Sequence, residues 1–361
     1  MEKTIAHFLT NDIKVNQDFK YRQITNLKKY RPIVIGEFTQ RNSEQEYPYE
    51  YYYRGDITDW PTFINMHNIK AIHAHTGEDA AKILPVVILY KIPLIVSFRG
   101  NDISAPKKAN EKNRINHQEL IEHGSLFLPV CKFFKKKLIK LGFQKEKIKV
   151  MYGGIDIQKF AFREWNPNKE RTYRILSVGR LVEKKGFPIL IKAFRKVHNK
   201  FPKAKLVIVA DGKAEQKKKL SKQIKKYNLE ESIELEKKIN NSDIVKEFHR
   251  ADLFCLASYT TSKGGMEGIP NVLKESMSCG VPVVSTFHSG IPELIEHKGS
   301  GILTKERDVK GLAKAIIKLL GNPKQCEKYT TRAREKVEKD FNLTKQINVQ
   351  EQYYDQLFSN I

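Results

Sequence analysis

The sequence predicts an α/β protein made of doubly wound parallel sheets. Short apolar runs rich in β-branched residues alternate with amphipathic helical patterns along most of the 361 residues. This alternation is expected where crossover helices join parallel strands. Runs such as ILSVG and KLVIVAD are apolar nearly throughout, as strands buried on both faces are. Strands are expected in two series, at residues 32–35, 71–74, 93–98, 126–130 and 147–151, and at 174–178, 205–209, 233–235, 253–257 and 282–285.

The chain is too long for one ordinary hydrophobic core, so two domains are expected. A polar segment at 163–171, REWNPNKER, separates the two series of strands and has the composition of a linker. We therefore predict one Rossmann-like domain over 1–162 and a second over 170–340. The last segment, 341–361, carries apolar residues at helical spacing and is expected to form a helix that packs back across the domains.

The composition favours a globular protein of a reducing compartment. Apolar residues make up 40% of the chain, which is enough to bury two cores. The four cysteines show no paired spacing, which argues against a disulfide framework and against a zinc site. The first residues lack the continuous apolar region of a signal peptide, and Lys91 and Pro93 interrupt the apolar run at 83–98. We expect a cytoplasmic protein.

The formal charge of +24 arises from 65 Lys and Arg against 41 Asp and Glu, and it leaves three interpretations open. The lysines are spread over the whole chain, so the excess can reflect composition alone. It can also attract anionic lipid or nucleic acid. We expect no nucleic-acid partner, because the sequence has no recognisable nucleic-acid-binding motif and no interleaved aromatic platform.

The segment 132–149, KFFKKKLIKLGFQKEKIK, holds eight lysines against one acidic residue. Phe134, Leu138 and Leu141 fall on one side of it at helical spacing. The pattern fits a helix whose apolar stripe packs on the N-terminal sheet with its lysines in solvent. It also fits a helix that lies on an anionic membrane surface. The second interpretation would place the protein peripherally on the inner face of the membrane.

Two segments of the second half have the features of an anion-binding site. In SVGRLVEKKG, residues 177–186, a strand ends at Gly179, Arg180 and Lys185 follow on the loop, and a helix is expected from Phe187. Ligands of open parallel sheets bind at the carboxyl ends of strands, so these two cations could clamp a diphosphate. Cations on loops are more often only solvated, so this segment alone is weak evidence.

The second segment is MEGIPNVLKESMSCGVPVVS, residues 266–285. A helix is expected to start at Pro270 or Asn271, and the glycine-rich loop before it allows the first amides to face an anion. Glu275, one turn into the helix, could accept hydrogen bonds from ribose hydroxyls. Glu267 precedes it by eight residues, and a helical stretch of that length covers about 12 Å, roughly the reach of a nucleotide-sugar diphosphate. Taken singly, either glutamate would more often be an ordinary residue on the wet side of a helix.

These residues resemble the signature of the family 4 glycosyltransferases, E-x7-E, which reads here Glu267-Gly-Ile-Pro-Asn-Val-Leu-Lys-Glu275. The resemblance runs through most of the chain. It includes GRLVEKKGFPILIKAF, which is similar to the family's phosphate loop, and also VMYGGIDIQKF, VVSTFHSGIPELI and IHAHTGEDA. The opening FKYRQITNLKKYRPIVI is similar to that of a subgroup making surface polysaccharides.

The resemblance implies a GT-B fold, in which two Rossmann-like domains face each other across a cleft. It implies retaining transfer of a sugar, hexosyl or N-acetylhexosaminyl, from a nucleotide-sugar such as a UDP-sugar to a saccharide or lipid-linked acceptor. The N-terminal domain would bind the acceptor and the C-terminal domain the donor. No cofactor and no essential metal are implied, and the absence of an Asp-x-Asp motif is consistent with this.

By matched position, the resemblance assigns the donor contacts to Gly179, Arg180, Lys185, Glu267, Gly268, Ile269, Pro270, Asn271, Val272, Leu273 and Glu275. Arg180 and Lys185 would neutralise the leaving diphosphate, and Glu267 would contact the donor sugar. His75 would reach towards the donor or the acceptor. It completes the predicted catalytic set with Arg180, Lys185 and Glu267. We expect His73, two residues before His75, to point to the opposite face of its strand.

The sequence departs from the family pattern at two places. PLIVSFRGND, residues 93–102, has Arg99 where many members carry a histidine, so the acceptor-side candidates are His75, Arg99 and Asp102. The glycine-rich N-terminal loop of many members is absent, since residues 10–18 contain no glycine. These departures keep a rival interpretation open, a degenerate GT-B scaffold or sugar-binding coat protein without turnover.

Overall fold

A computed structural model of the chain describes residues 2–11, 19–37, 48–104, 117–166, 172–236 and 241–359. The chain forms two compact units. Unit 1 consists of Met1–Gly154 together with Leu343–Ile361, and unit 2 consists of Ile155–Asn342. Each unit has its own six-stranded sheet and its own hydrophobic core.

The sheet of unit 1 is parallel throughout. Its strands are β1 (Thr4–Leu9), β2 (Arg31–Gly36), β3 (Glu50–Tyr53), β4 (Ile69–Ala74), β5 (Leu94–Phe98) and β6 (Leu126–Pro129). They lie in the order β3-β2-β1-β4-β5-β6. The helices between and after them are α1 (Phe19–Thr25), α2 (Trp60–Met66), α3 (Gly77–Tyr90), α4 (Asn101–Ser104), α5 (His117–His123) and α6 (Lys132–Lys140).

The sheet of unit 2 repeats this design. Its strands are β7 (Arg174–Arg180), β8 (Lys205–Asp211), β9 (Ile233–Glu236), β10 (Leu253–Cys255), β11 (Val283–Thr286) and β12 (Ile302–Thr304). They are parallel, in the order β12-β11-β10-β7-β8-β9. Its helices are α7 (Phe187–Lys200), α8 (Ala214–Lys226), α9 (Asn241–Arg250), α10 (Asn271–Ser278), α11 (Ile291–Leu294), α12 (Val309–Leu320) and α13 (Pro323–Asp340). The last helix of the chain, α14 (Leu343–Ser359), belongs to unit 1.

Both sheets have the same strand order, which confirms the predicted doubly wound α/β class. In each sheet the first and fourth strands are neighbours, β1 beside β4 and β7 beside β10, and the strand order runs outwards from them in both directions. Ligands of such sheets bind beyond the carboxyl ends of these two strands, at the topological switch point. In unit 2 the loops after β7 and β10 are therefore the first place to look for a site.

Side-chain caps explain where several helices begin. Thr76 accepts a first-turn N–H group of α3 at 3.0 Å. Asp308 does the same for α12 at 2.8 Å, and Asn322 for α13 at 3.1 Å. Each cap satisfies an N–H group that has no partner within its own helix, so these residues fix the starting point of the helix.

The apolar run at 83–98 divides into a helix and a strand. Helix α3 ends at Tyr90 because Lys91 adopts the left-handed conformation, with a φ of 52°. Strand β5 then begins at Leu94. Among the described residues, no helix is both long and apolar enough to cross a membrane.

The strand predictions were wrong in places. Residues 147–151 form no strand; Lys145–Lys147 make a 3-10 turn, and Ile148 forms an isolated bridge with Phe127. Strands β1, β3 and β12 were not predicted. His7 interrupts the apolar run of β1, the sequence EYYY of β3 lacks aliphatic residues, and β12 has only three residues. Residues 12–18 of the glycine-free loop lie outside the described residues, and so do residues 167–171 of the expected linker.

Polar contacts hold helix α14 in unit 1. Tyr354 is fully buried, and its hydroxyl lies 2.7 Å from Nδ1 of His73 in β4. The Glu351 carboxylate accepts the backbone N–H groups of Lys28 and Lys29 at 2.6 and 2.7 Å. These bonds satisfy buried polar groups that would be costly to leave unpaired, so the helix is an integral part of unit 1.

We predict that Tyr354→Phe lowers the free energy of unfolding of unit 1 by about 1–3 kcal/mol, because it leaves the buried Nδ1 of His73 without its hydroxyl partner. The measurement is urea unfolding in a Trp165→Phe background, in which Trp60 of unit 1 is the remaining tryptophan. The control is Gln352→Ala on the exposed side of the same helix. An unchanged midpoint for Tyr354→Phe would contradict the prediction.

Candidate active site

The switch point of unit 2 brings together residues that the sequence analysis singled out. Strand β7 ends at Arg180 and is followed by a 3-10 turn, Glu183–Lys185. Strand β10 is followed by a long segment that leads into α10. We call residues 180–186 the cationic loop and residues 256–270 the acidic loop. Because β7 and β10 are hydrogen-bonded neighbours, the two loops leave the sheet side by side.

Two glycines determine how closely the cationic loop approaches its surroundings. Gly186 has a φ of 71°, and a Cβ atom there would lie 1.9 Å from the Ala257 carbonyl oxygen. Only glycine satisfies both the backbone angle and the space. At Gly179 a Cβ atom would lie 3.3 Å from Cδ and Cε of Lys185. Gly186 thus allows the cationic loop to contact the acidic loop, and Gly179 leaves room for the Lys185 side chain at the strand end.

Glu267 of the acidic loop forms ion pairs with both lysines of the cationic loop. Its Oε1 lies 3.4 Å from Nζ of Lys184, and its Oε2 lies 3.4 Å from Nζ of Lys185. The three side chains are largely buried, with 13%, 10% and 14% of the Lys184, Lys185 and Glu267 side chains exposed. Nζ of Lys184 also donates to the Met266 carbonyl oxygen at 3.0 Å. Two positive charges are therefore gathered around one carboxylate.

The electrostatics of these groups follow from burial and from one another. Burial lowers the pKa of Lys185, and the neighbouring Glu267 opposes that shift. For Glu267, burial alone would raise the pKa, but the charges of Lys185 and Lys184 outweigh it and hold the pKa below its usual 4.5. The carboxylate is consequently ionised at neutral pH and supplies the counter-charge that the buried lysines need.

The remaining predicted donor residues surround this group. Arg180 is exposed at the end of β7, and its charge helps to lower the pKa of Lys185. Helix α10 begins at Asn271, as expected, directly after the buried segment Gly268–Pro270. Glu275 is half-buried one turn into that helix. The structure thus brings Lys185 and Glu267 into contact, while the contacts of these residues with a donor stay predictions.

Three further residues contribute to this group, and the sequence analysis singled out none of them: Lys184, His288 and Glu306. His288 accepts the backbone N–H of Glu267 on Nε2 at 3.0 Å, and its Nδ1 lies 2.5 Å from Oε1 of Glu306. The run EKKG contains two adjacent lysines, but the sequence does not show where their side chains point. The 3-10 turn directs both of them towards Glu267. Glu306 follows β12, a three-residue strand too short to be recognised.

In unit 1, His75 and Arg99 follow the carboxyl ends of β4 and β5. The Arg99 guanidinium donates to Nδ1 of His75 at 3.0 Å and to Gln23 at 2.6 Å. It also lies over the ring of Phe19, 4.2 Å from its centre. Because a guanidinium can only donate, Nδ1 of His75 is an acceptor, and its Nε2–H donates to Nδ1 of His7 at 2.9 Å. Both ring nitrogens of His75 are engaged in hydrogen bonds. The catalytic role predicted for His75 stays a prediction and would require one of these bonds to open.

The expectation that His73 points away from His75 was wrong. Residues two apart on a strand share a face, and the two rings stack with centres 4.6 Å apart and planes at 15°. His73 is bonded to Tyr354 through Nδ1 and to Ser97 through Nε2, the latter at 2.9 Å. It therefore ties β4 to β5 and to helix α14.

The histidines His7, His73 and His75 are the one group in the described ranges whose nitrogen atoms are close enough to hold a metal ion, all lying within 4.8 Å of one another. Ring lone pairs lie in the ring plane, and the nearly parallel planes of His73 and His75 do not direct theirs to one point. Burial lowers the pKa of His7 to about 3 and the pKa values of the other two well below 6.5. The imidazoles are neutral and hydrogen-bonded to one another and to their neighbours, except that Nε2 of His7 is buried without a partner among the described residues.

Asp102, the third acceptor-side candidate, is buried and serves the backbone. Its carboxylate accepts the N–H groups of Arg99, Gly100 and Gly77 at 2.7 to 3.3 Å. Burial raises the pKa of Asp102, and these three bonds oppose the shift. The contacts fix the turn after β5 against the start of α3 and so hold Arg99 beside His75. A contact of Asp102 with an acceptor stays a prediction.

Two six-stranded doubly wound sheets, with buried cations at the switch point of unit 2, define an α/β protein built from two Rossmann-like units. The model of the family described as "Glycosyl transferases group 1" matches residues 158–336. The chain belongs to these group 1 glycosyltransferases, the family 4 enzymes that its E-x7-E motif resembles.

Individual relatives agree with this assignment. The chain is 37% identical over 270 residues to WcaL of Escherichia coli (strain K12), which carries the name of a colanic acid biosynthesis glycosyltransferase; the match covers 74% of this chain and 64% of WcaL. It is 36% identical over 268 residues to the amylovoran biosynthesis glycosyltransferase AmsK of Erwinia amylovora, covering 74% of this chain and 65% of AmsK. The chain thus spans just under two thirds of the length of these relatives.

Solved structures establish the fold. The crystal structure of HepE from Anabaena in complex with UDP-glucose matches with a TM-score of 0.78 at 20% identity, covering 99% of each chain. A likeness at this identity concerns the fold alone, which is GT-B.

We predict that Glu267→Gln destabilises unit 2 by about 3 kcal/mol at pH 7, because two buried ammonium groups lose their counter-charge. The depressed pKa of Glu267 gives stability that is present above pH 4.5 and lost as the pH falls through the lower folded-state value. The difference between the parent and Glu267→Gln should therefore shrink below pH 4.5.

The measurement is urea unfolding in a Trp60→Phe background, so that Trp165 of unit 2 reports the transition. Glu230→Gln, an exposed glutamate of the same unit, is the control and should leave the midpoint unchanged. Equal stability of parent and Glu267→Gln at pH 7 would contradict the assigned ion pairs.

Proposed function

We propose that the protein transfers a sugar, with retention of configuration, from a uridine diphosphate sugar to a saccharide or lipid-linked acceptor in surface-polysaccharide biosynthesis. Membership of the group 1 family supports the reaction class. The names of WcaL and AmsK support the biosynthetic setting. The complex of HepE with UDP-glucose makes that hexosyl donor the first to test, before N-acetylhexosaminyl donors.

The observation that carries the proposal is the contact of Glu267 with Lys184 and Lys185 at the switch point of unit 2. Lysines are seldom this buried unless they are paired, and burying them consumes folding free energy. Two of them on one loop, beside the exposed Arg180, form an excess of positive charge at the place where doubly wound sheets bind phosphates. A diphosphate is the ligand whose charge and size fit this excess.

In the proposed reaction the bond between the anomeric carbon and the diphosphate breaks, and negative charge builds up on the leaving phosphate. Lys184, Lys185 and Arg180 stabilise that charge, and the first amides of α10 add the positive end of the helix dipole. These donors are positioned before the substrate arrives, so little reorganisation is needed as the charge develops.

Glu267 has two states in this scheme. Without donor it neutralises the lysines, and with donor the diphosphate takes over the lysines. The carboxylate is then available to the sugar, where its negative charge favours the positive charge that develops at the anomeric carbon. The low pKa of Glu267 in the paired state keeps it ionised for this role.

The first experiment is a thermal-shift screen against nucleotide-sugars, since a specific ligand raises the midpoint by mass action. For the donor that responds, Lys185→Ala is expected to lower turnover by about 30- to 1000-fold, equivalent to losing 2–4 kcal/mol of transition-state stabilisation. The readout is release of UDP in the presence of an acceptor. Lys192→Ala, on the exposed side of α7, is the matched control and should turn over as the parent does.

Unchanged turnover of Lys185→Ala would overturn the assigned role. The rival interpretation, a degenerate scaffold or sugar-binding coat protein, predicts a thermal shift with UDP-sugars but no release of UDP with any acceptor. The retained pair of lysines favours the enzyme, because a protein that only binds sugars has no need to stabilise a leaving diphosphate.

We further propose that unit 1 meets its acceptor at an anionic membrane surface through helix α6. Phe134 and Leu138, two of the three residues of the predicted apolar stripe, are fully buried and pack inward, while the third, Leu141, is exposed beyond the end of the helix. The outer side nevertheless carries Phe133 and Ile139, which are 37% and 38% exposed among lysines, and Leu141 beyond the helix is 42% exposed. Exposed apolar side chains within a basic patch are suited to partial insertion between anionic head groups.

Sedimentation with vesicles tests this surface. The protein should bind phosphatidylcholine vesicles that contain phosphatidylglycerol at low salt, and it should release them as salt screens the lysines. The double variant Phe133→Ser/Ile139→Ser should bind several-fold more weakly. The matched control is Ile88→Ser/Leu89→Ser, an exposed apolar pair at the end of α3, which should bind as the parent does. Absence of binding at low salt would refute the proposal.

A further inference from the structure

The end of β11 and the segment that follows it support the acidic loop along its length. Ser285 Oγ donates to the Leu256 carbonyl oxygen at 2.7 Å, and Thr286 Oγ1 donates to that of Ser258 at 2.5 Å. Further along, the backbone N–H of Gly290 donates to the carbonyl oxygen of Gly268 at 3.2 Å. These bonds connect the segment to the beginning and to the end of the acidic loop.

His288 lies between these contacts and is fully buried. Its Nε2 is 3.0 Å from the backbone nitrogen of Glu267, and its Nδ1 is 2.5 Å from the Glu306 carboxylate. A backbone N–H can only donate and an ionised carboxylate can only accept, so the tautomer is determined. Nδ1 carries the proton and donates it to Glu306, and Nε2 is the acceptor for Glu267.

Glu306 acts on a second point of the acidic loop. The same carboxylate accepts the backbone N–H of Thr260 at 3.0 Å and the Thr260 hydroxyl at 3.3 Å. The adjacent Arg307 donates to the Thr260 carbonyl oxygen at 2.9 Å. One carboxylate therefore holds the first part of the loop directly and, through His288, the residue near its end that carries the ion pairs.

We infer that Glu306 and His288 are positioning residues, which fix the backbone of Glu267 so that its carboxylate stays in place when a diphosphate takes over the lysines. In the resting protein the two ion pairs of Glu267 would hold its side chain even without His288. Once the lysines bind phosphate, the backbone contact is what keeps Glu267 at the sugar. The inference rests on the proposed function of Glu267 and Lys185 in donor binding.

A buried histidine can also be a mere packing residue, and amide variants separate the two roles. The Gln side chain places an oxygen close to the position of Nε2, so His288→Gln can still accept the Glu267 N–H. The Asn side chain reaches the position of Nδ1, so His288→Asn can still contact Glu306 but offers nothing to Glu267. If His288 only packs, the variants His288→Asn and His288→Gln should differ in stability alone.

Protonation of His288 offers a further test. A proton on Nε2 would turn that nitrogen into a donor, so it could no longer accept the N–H of Glu267. The charged groups that act on His288 are Glu306, Glu267 and Lys184. Burial lowers the pKa of His288 below 6.5, and the two carboxylates oppose that shift. The neutral form, and with it the acceptor, is therefore kept at neutral pH and lost only in acid.

The experiment uses the full chain with two readouts. Hydrogen exchange followed by mass spectrometry monitors the peptide containing the Glu267 amide, and UDP release from UDP-glucose gives kcat and KM. We expect His288→Asn to speed exchange of that peptide and to lower kcat, each by about tenfold, with KM changed less than threefold. His288→Gln should retain the protection and most of the kcat.

Glu306→Gln supplies a pH readout that packing would not affect. It removes the carboxylate that raises the pKa of His288, so the acid limb of the kcat profile should move to lower pH. Equal behaviour of His288→Asn and His288→Gln in exchange, or an acid limb unmoved in Glu306→Gln, would overturn the inference. If UDP-glucose is not turned over by the parent, the donor proposal fails while the exchange readout still decides the role of His288.

Discussion

The close approach of two loops at the switch point of unit 2 is the constraint on which the candidate site depends. The parallel order places β7 beside β10, and the left-handed conformation of Gly186 allows the cationic loop to touch the backbone at Ala257. Only this approach brings Lys184 and Lys185 within 3.4 Å of Glu267. A side chain at residue 186 would separate the loops, so the ion pairs of the site depend on this one glycine.

The ion pairs explain how the protein keeps two lysines buried before any ligand arrives. Desolvation of an ammonium group costs roughly several kcal/mol, and a partner carboxylate offsets much of that cost. Glu267 supplies that partner in the resting state. A diphosphate that bound there would replace one anion by another, so the lysines would not have to be desolvated a second time.

Much of the fold and part of the site could be predicted from the sequence. Strands such as β8 and helices such as α10 have unambiguous periodicity, and the E-x7-E motif located Glu267 and Glu275. Strand β12 was missed because three residues carry no periodicity. Lys184 was missed because its role depends on the direction of its side chain in a 3-10 turn. Glu306 was missed because its role depends on a contact with His288, eighteen residues earlier in the chain, and neither feature leaves a local sequence pattern.

The two units share a strand order but differ in the chemistry at their switch points. In unit 2 the carboxylate of Glu267 neutralises the two buried lysines. In unit 1 Arg99, His75 and His7 form a chain of hydrogen bonds in which both imidazoles are neutral. Because the Arg99 guanidinium can only donate, it determines which ring nitrogens donate and which accept. Such a chain holds one tautomer at each ring and changes little with pH, since burial keeps the imidazole pKa values low. Arg99, which stands where many family members carry a histidine, therefore fixes the hydrogen-bonding roles of the rings at this end of the sheet.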